Sequence, residues 1–420
     1  SDDPTGYGTI KSVDINGAGN RVIIGTSYFD GGMDKGQVKV YEYQTSTSSW
    51  QIMGGTNAEY PGPGAITGGD VAVLSSHPYG DTASATSPQI AIFPTDVSGG
   101  AIGTRVSINH EGNVIAFSAP TYNRKAWGNS PAKENAGRIY AYYWNSGMSV
   151  WVRLHTDGYF VRMQGDKENS KLGDINGSLS LNKNGNRIIA SSSNWTGGSG
   201  VKIYEWNGTN WWTSNSAWVE KASLYEATNA IKFGYSVSMN GTGDIVVIGC
   251  KEVQGTDCRV EVRKLNGSNF DKLGSTLTGE DPVIADSHFG SVVDINENGN
   301  IIAVSSSKSV VDTNPNSKVY IYKWNNDLDF SSGDWELITG FAPDSWASKT
   351  FLDMSVSLNN NGTKLTVGHL DFSISLGTVY LYNFAARNMI PGFVNILADI
   401  SGNDASFNNI NLLGDISGND

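Results

Sequence analysis

Cysteine is nearly absent. The 420 residues hold two, Cys250 and Cys258, and two cysteines cannot build a zinc site alone. Charge is sparse as well: 17% of the chain, with 41 acidic against 29 basic residues and a formal net charge of −12. That balance argues against nucleic acid, because phosphate binding needs a basic face. No stretch approaches the ~20 continuous apolar residues of a membrane-spanning helix, so no membrane insertion is expected.

Signatures of catalysis are missing too. The five histidines, His77, His110, His155, His288 and His369, form no H-x-H or HExxH pair. There is no G-x-S-x-G elbow, no P-loop and no sialidase-type S-x-D-x-G-x-T-W box. No catalytic residue, metal or cofactor is therefore expected. A carboxylate pair assembled from distant strands would escape such a search.

Glycine and aromatics, by contrast, are plentiful: 50 Gly, 12 Trp, 18 Tyr and 14 Phe. Such a chain is too apolar and aromatic to be disordered. Its glycines follow no strict period of three, which excludes collagen. It opens Ser-Asp-Asp-Pro without Met or a signal-like run, which reads as a processed product or a piece of a longer chain.

Internal repeats decide the fold class. One phrase, a strand, an Asn/Gly turn and an apolar strand, recurs at 12–25, 105–118, 178–191, 236–249, 291–304 and 354–368. A second phrase follows each: QVKVYEY (37–43), RIYAYYW (138–144), VKIYEW (201–206), RVEVRKL (259–265, without aromatics), KVYIYKW (318–324) and TVYLYNF (378–384). A third element carries Trp50, Trp151, Trp218 or Trp335. The turn glycines Gly19, Gly112, Gly185, Gly243, Gly299 and Gly362 are 93, 73, 58, 56 and 63 residues apart. Units of about 60 residues with three or four short strands fit propeller blades, whose radial stacking buries both sheet faces. In the turn, Gly supplies a positive φ and Asn caps with its side chain. The long first gap holds GGDVAVLSS (68–76) and PQIAIFPT (88–95). They read as a further degenerate blade or as an insertion, so an all-β propeller of seven blades is favoured and six is possible.

The expected division is a propeller over 1–385 and a short repetitive stalk-like tail over 386–420. In that tail DISGND occurs at 399–404 and 415–420. The tail reads as a linker, a strand packed on the propeller, or the start of a fibrous stalk built from several chains.

Tryptophans in repeat slots, among them Trp144, Trp206 and Trp324, read as blade packing. Trp127, Trp195, Trp211, Trp212 and Trp346 fall outside those slots. A loop Trp suits stacking on a sugar or anchoring a protein contact, or it covers a blade edge. Arg124, Lys125 and Lys133 surround Trp127, a local basic-aromatic surface for acidic glycans. Cys250 and Cys258 stand at neighbouring strand ends, as a disulfide or as two half-buried thiols.

The segment 271–304, with the pairs Phe233-Gly234 and Phe289-Gly290 and the V-x-V-Y strands, resembles FG-GAP-type propellers. The likeness is to the variant abundant in marine algae, marine microbes and viruses of algae, over roughly 8–384. The tail motif resembles repeats of algal-virus surface and fibre proteins. Integrin-like members of the family bind calcium in such turns. Here Ala18 and Asn298 stand where a carboxylate belongs, so no metal is expected.

The resemblance implies a non-enzymatic surface-binding head, on a virion surface or extracellular. As a virion fibre or capsid-decorating protein it would contact a host-surface glycan or protein receptor, with self-association through the tail, a trimer foremost. The alternatives are an adhesion or matrix module of an alga or marine microbe, and a propeller-type carbohydrate-active enzyme.

Overall fold

The computed structural model describes residues 10–26, 37–53, 101–123, 132–147, 149–154, 163–174, 179–195, 198–208, 217–226, 231–252, 259–278, 287–308, 317–326, 329–342, 354–371, 376–384 and 391–394. Among them there is no helix, and therefore none long and apolar enough to cross a membrane. All regular structure is antiparallel sheet, in six four-stranded blades of a β-propeller fold.

The chain divides into two compact units, Ser1–Asn229 and Ala230–Asp420, with three blades in each. In the first unit, blade 1 is β1 (Ile10–Ile15), β2 (Arg21–Thr26), β3 (Gln37–Gln44) and β4 (Ser49–Ile52). Blade 2 is β5 (Val106–Ile108), β6 (Val114–Ala119), β7 (Arg138–Asn145) and β8 (Val150–Arg153). Blade 3 is β9 (Leu179–Leu181), β10 (Arg187–Trp195), β11 (Gly198–Trp206) and β12 (Trp218–Glu226). In the second unit, blade 4 is β13 (Ile231–Met239), β14 (Ile245–Glu252), β15 (Arg259–Asn266) and β16 (Asn269–Lys272). Blade 5 is β17 (Ser287–Ile295), β18 (Ile301–Lys308), β19 (Lys318–Trp324) and β20 (Trp335–Phe341). Blade 6 is β21 (Met354–Leu358), β22 (Lys364–Asp371), β23 (Leu376–Phe384) and β24 (Pro391–Val394).

Each unit is held by apolar layers between successive blades. Ile23, Val38 and Val40 of blade 1 pack on Val106, Ile108, Phe117, Tyr140 and Tyr142 of blade 2. Blades 4 and 5 meet through Val247, Val260 and Val262 against Val293, Ile302 and Tyr320. The third strands of blades 2 and 5 are apolar on both faces because each face meets such a layer, Tyr140 and Tyr142 on one side and Ile139 and Ala141 on the other in β7, and Tyr320 and Tyr322 against Val319 and Ile321 in β19. Direct packing of blade 1 on blade 2 corrects the favoured count of seven to six among the described residues. Segments 68–76 and 88–95 lie outside those residues. β24 pairs with β23, so blade 6 draws its outer strand from within the segment assigned to the tail. The rest of the tail, 395–420, lies outside the described residues.

The recurrent turn works as its residues require. Asn16 Oδ1 accepts the backbone N–H groups of Asn20 and Arg21 at 3.0 and 2.8 Å. Asn296 does the same for Asn300 and Ile301. The six turn glycines have φ between 69° and 79°, which disfavours side chains with a Cβ. The turns also join blades. In the first unit Gly17 N–H donates to His110 O (2.9 Å) and His110 N–H to Lys183 O (3.2 Å). In the second, Gly241 N–H donates to Glu297 O and Glu297 N–H to Asn360 O.

A second set of blade-to-blade bonds uses one repeat position of the first strand. Asp14 Oδ2 accepts Ile108 N–H of blade 2 at 2.8 Å. Ser107 Oγ accepts Leu181 N–H of blade 3 at 3.1 Å. In the second unit Asp294 of blade 5 accepts Leu358 N–H of blade 6 at 2.7 Å and the Ser238 hydroxyl of blade 4 at 2.8 Å.

Candidate functional site

Carboxylates withdrawn from solvent and bonded between blades are the first place to look for chemistry, and the half-buried Asp294 is the foremost. Burial pushes its carboxyl above the usual range, against the donors Leu358 N–H, the Ser238 hydroxyl, Ile295 N–H and the Ser357 hydroxyl. Its oxygens are thus committed to holding three blades together, which makes it a structural clasp.

A cleft lies between blades 1 and 2 of the first unit. Glu42, Gln44, Gln51, Ile52, Met53, Trp144 and Ser149 line its volume of about 260 Å³. Strand pairing explains the arrangement. Glu42 and Gln44 are two residues apart on β3 and so share a face, and Gln51 of β4 stands opposite Glu42. Trp144, next to the last residue of β7, tilts against Trp151, with ring centroids 5.2 Å apart. Trp151 is buried, while Trp144 is half-buried.

Glu42 is fixed from both sides. Its Oε1 accepts Arg21 Nε and Nη2 at 2.9 and 2.6 Å, and its Oε2 accepts the Gln44 amide at 2.8 Å. Arg21 Nη1 donates in turn to Gly112 O of blade 2 at 3.0 Å. Blade 3 repeats the Arg–Glu pair as Arg187 and Glu205. Burial raises Glu205, but Arg187 and Lys221 outweigh it and hold its carboxyl below the usual range. The two pairs have different third contacts, Lys221 on Glu205 and the Gln44 amide on Glu42. Among the described residues, no group of three or more His, Cys, Asp or Glu is placed to hold a metal ion.

Of the residues singled out in the sequence, Arg124, Lys125, Trp127, Trp211, Trp212 and Trp346 lie outside the described residues. The main chain of Trp195 closes β10 opposite Gly198. Cys250 is buried on β14, opposite Phe233 of β13 and Arg259 of β15. Cys258 lies outside the described residues, and with it the pairing of the two. Trp144, expected only to pack, borders the cleft. The signal for the cleft in the sequence is Glu42-x-Gln44 with Gln51 across the hairpin, a polar face on a strand that is otherwise apolar on that side.

No protein-family model matches the sequence, and no curated protein matches it either. Solved structures with a similar fold include the periplasmic gluconolactonase of Pseudomonas aeruginosa. That match has 10% identity over 91% of this chain and 83% of that one, with a TM-score of 0.48. Prolyl oligopeptidase B of Galerina marginata matches at 10% identity over 93% of this chain and 42% of that one, TM-score 0.47. The β-propeller domain of the Trilobed protease of Pyrococcus furiosus matches at 9% over 94% and 85%, TM-score 0.45. These neighbours are propellers of enzymes. The expected non-enzymatic attachment head has no counterpart among them, and the expectation is corrected to that extent. At such identities the likeness concerns the fold and leaves the chemistry to the residues of this chain.

Proposed function

We propose that this chain is a propeller-type carbohydrate-active enzyme whose saccharide site is the Trp144 cleft. The observation that supports it is the make-up of that cleft. An indole face, a carboxylate and two amides converge in a volume near the lower end of small-ligand pockets, roughly 300 Å³. An aromatic ring covers the apolar C–H face of a sugar, and amides and a carboxylate bond its hydroxyls. Glu42 takes the acid–base role, with Arg21 as its positioning residue. The neutral Gln44 amide is the partner that a substrate hydroxyl or water displaces.

The test is turnover of a panel of neutral glycosides and sugar lactones by the purified chain, followed by the Glu42→Gln variant. Glu42→Gln is expected to lower kcat by about 10²–10⁴-fold, the usual share of general acid–base catalysis, with an unchanged melting curve. Absence of turnover on every substrate, or a Glu42→Gln variant as active as the parent, would overturn the reading.

A further inference from the structure

The pair Asn-Gly occurs eight times, with Asn at 16, 176, 184, 207, 240, 266, 298 and 361. It is the pair in which the backbone most readily attacks a side chain. The glycine nitrogen reaches the carboxamide carbon of the Asn before it, and no Cβ on the glycine crowds the approach. Asn176-Gly177 lies outside the described residues. In the others the fold decides where that chemistry is held back.

Five pairs sit in the recurrent blade turn, and there the glycine N–H is already committed. Gly17 and Gly241 donate to His110 O and Glu297 O of the next blade, both at 2.9 Å. Gly185, Gly299 and Gly362 donate to the carbonyl of the first turn Asn at 2.9, 2.9 and 2.8 Å. Asn16 and Asn240 are also buried, and each side-chain carbonyl accepts backbone N–H from its own turn. At Asn207 the side-chain carbonyl accepts Ala217 N–H at 2.7 Å. Each of these six pairs must give up a hydrogen bond before a ring can close.

Asn266-Gly267 has none of these restraints. It opens the hairpin between β15 and β16, where Asn266 pairs with Asn269. Asn266 is exposed, and its amide donates to the exposed Asp271 Oδ2 at 2.8 Å. Among the described residues nothing accepts the Gly267 N–H or donates to the Asn266 side-chain carbonyl. Gly267 has φ +62°, and a Cβ built on it would meet nothing within 4 Å.

We infer that Asn266 is a site of spontaneous covalent modification, converted through a succinimide to aspartate and isoaspartate while the six restrained pairs persist. The Gly267 nitrogen gives its proton to water and bonds to the Asn266 side-chain carbon. The bond from that carbon to Nδ2 breaks, and Nδ2 takes a proton from water and leaves as ammonia. Water then adds to either carbonyl of the ring and opens it, to aspartate or to isoaspartate. Nothing is oxidised or reduced. The product sets a carboxylate beside Asp271 where an amide now donates. β16 then frays from its loop end back to Phe270, which is buried.

The experiment is incubation of the whole folded chain at mildly alkaline pH, with peptide mapping by mass spectrometry at each Asn-Gly pair over time. Asn266 is expected to convert at least about tenfold faster than Asn16, Asn184, Asn207, Asn240, Asn298 and Asn361, because each of those must first give up a hydrogen bond. Unfolding the chain in urea is expected to bring the seven rates together. Asn266→Asp is expected to quicken hydrogen exchange at Asn269, as ageing of the parent does. A blade-turn pair that converts as fast as Asn266 in the folded chain would overturn the proposal. So would an Asn266 that stays intact in the folded chain and converts only on unfolding.

Discussion

Replacing Asp294 by Ala is expected to destabilise the second unit by about 2–4 kcal/mol, on a scale of about 1–3 kcal/mol for each buried donor left unpaired. The carboxylate accepts Leu358 N–H and the Ser238 hydroxyl from the blades on either side, and Ile295 N–H from its own strand. Ala removes every acceptor at once. Hydrogen exchange at Leu358 reads the loss locally, and urea unfolding reads it globally.

Asp294→Asn separates charge from geometry. It keeps the shape but sets an amide donor against one of the N–H groups, so it too is less stable than the parent. The pH dependence then isolates the charge. Burial raises the folded-state carboxyl above its usual value. The fold therefore favours the protonated form. That contribution is full below the unfolded value of about 3.9 and is lost as pH rises through the folded one. Asn has no such slope, so the stability gap between parent and Asp294→Asn is expected to narrow as pH rises from 4 toward 7. A gap constant across that range would show that burial does not govern this carboxyl. Asp14 holds the same repeat position in blade 1, and gives the corresponding variant in the first unit.

The blades were legible in the sequence because each is written almost whole in a local phrase. Asn at the first turn position and Gly at the fourth dictate the hairpin, and the V-x-I-Y-x-W strand shows two apolar faces. The blade count was less legible. Nothing local tells whether 68–76 and 88–95 stand between two blades, since that depends on the packing of Val38 and Val40 on Val106 and Phe117. The cleft was legible only in part. Glu42, Gln44 and Gln51 are visible as polar residues, but the ring that completes them comes from Trp144, about a hundred residues on, in a slot that elsewhere is filled for packing. The Asp14 and Asp294 clasps hid for a different reason. Each stands two residues before the turn Asn, and its partner is a backbone N–H group of the next blade, which no side-chain pattern announces.

Phe289→Ala tests whether the Phe-Gly pair is the keystone of a blade boundary. Phe289 is 1% exposed. Its ring lies edge-on to Tyr320 at 5.4 Å and to Tyr322 at 6.4 Å, in the layer that blade 5 shares with Val247, Val260 and Val262 of blade 4. The next residue explains why the pair is inseparable. Gly290 has φ +84°, and its carbonyl oxygen lies 2.1 Å from where a Cβ on Gly249 would sit. That oxygen also accepts the Ser236 hydroxyl of blade 4 at 2.8 Å. The backbone thus dips into blade 4 at Gly290, and Phe289 seals the entry. Truncating a buried Phe to Ala costs about 3–5 kcal/mol where the site cannot collapse, and the close backbone contact beside it prevents collapse. The expected result is a loss of that size in urea unfolding, with Phe289→Leu retaining more than half of the difference. Asn269→Ala, at an exposed position of β16 in blade 4, is the control and is expected to lose far less. A Phe289→Ala loss below about 1 kcal/mol would mean that the boundary is carried by the valine layer alone, with Phe289 only filling space.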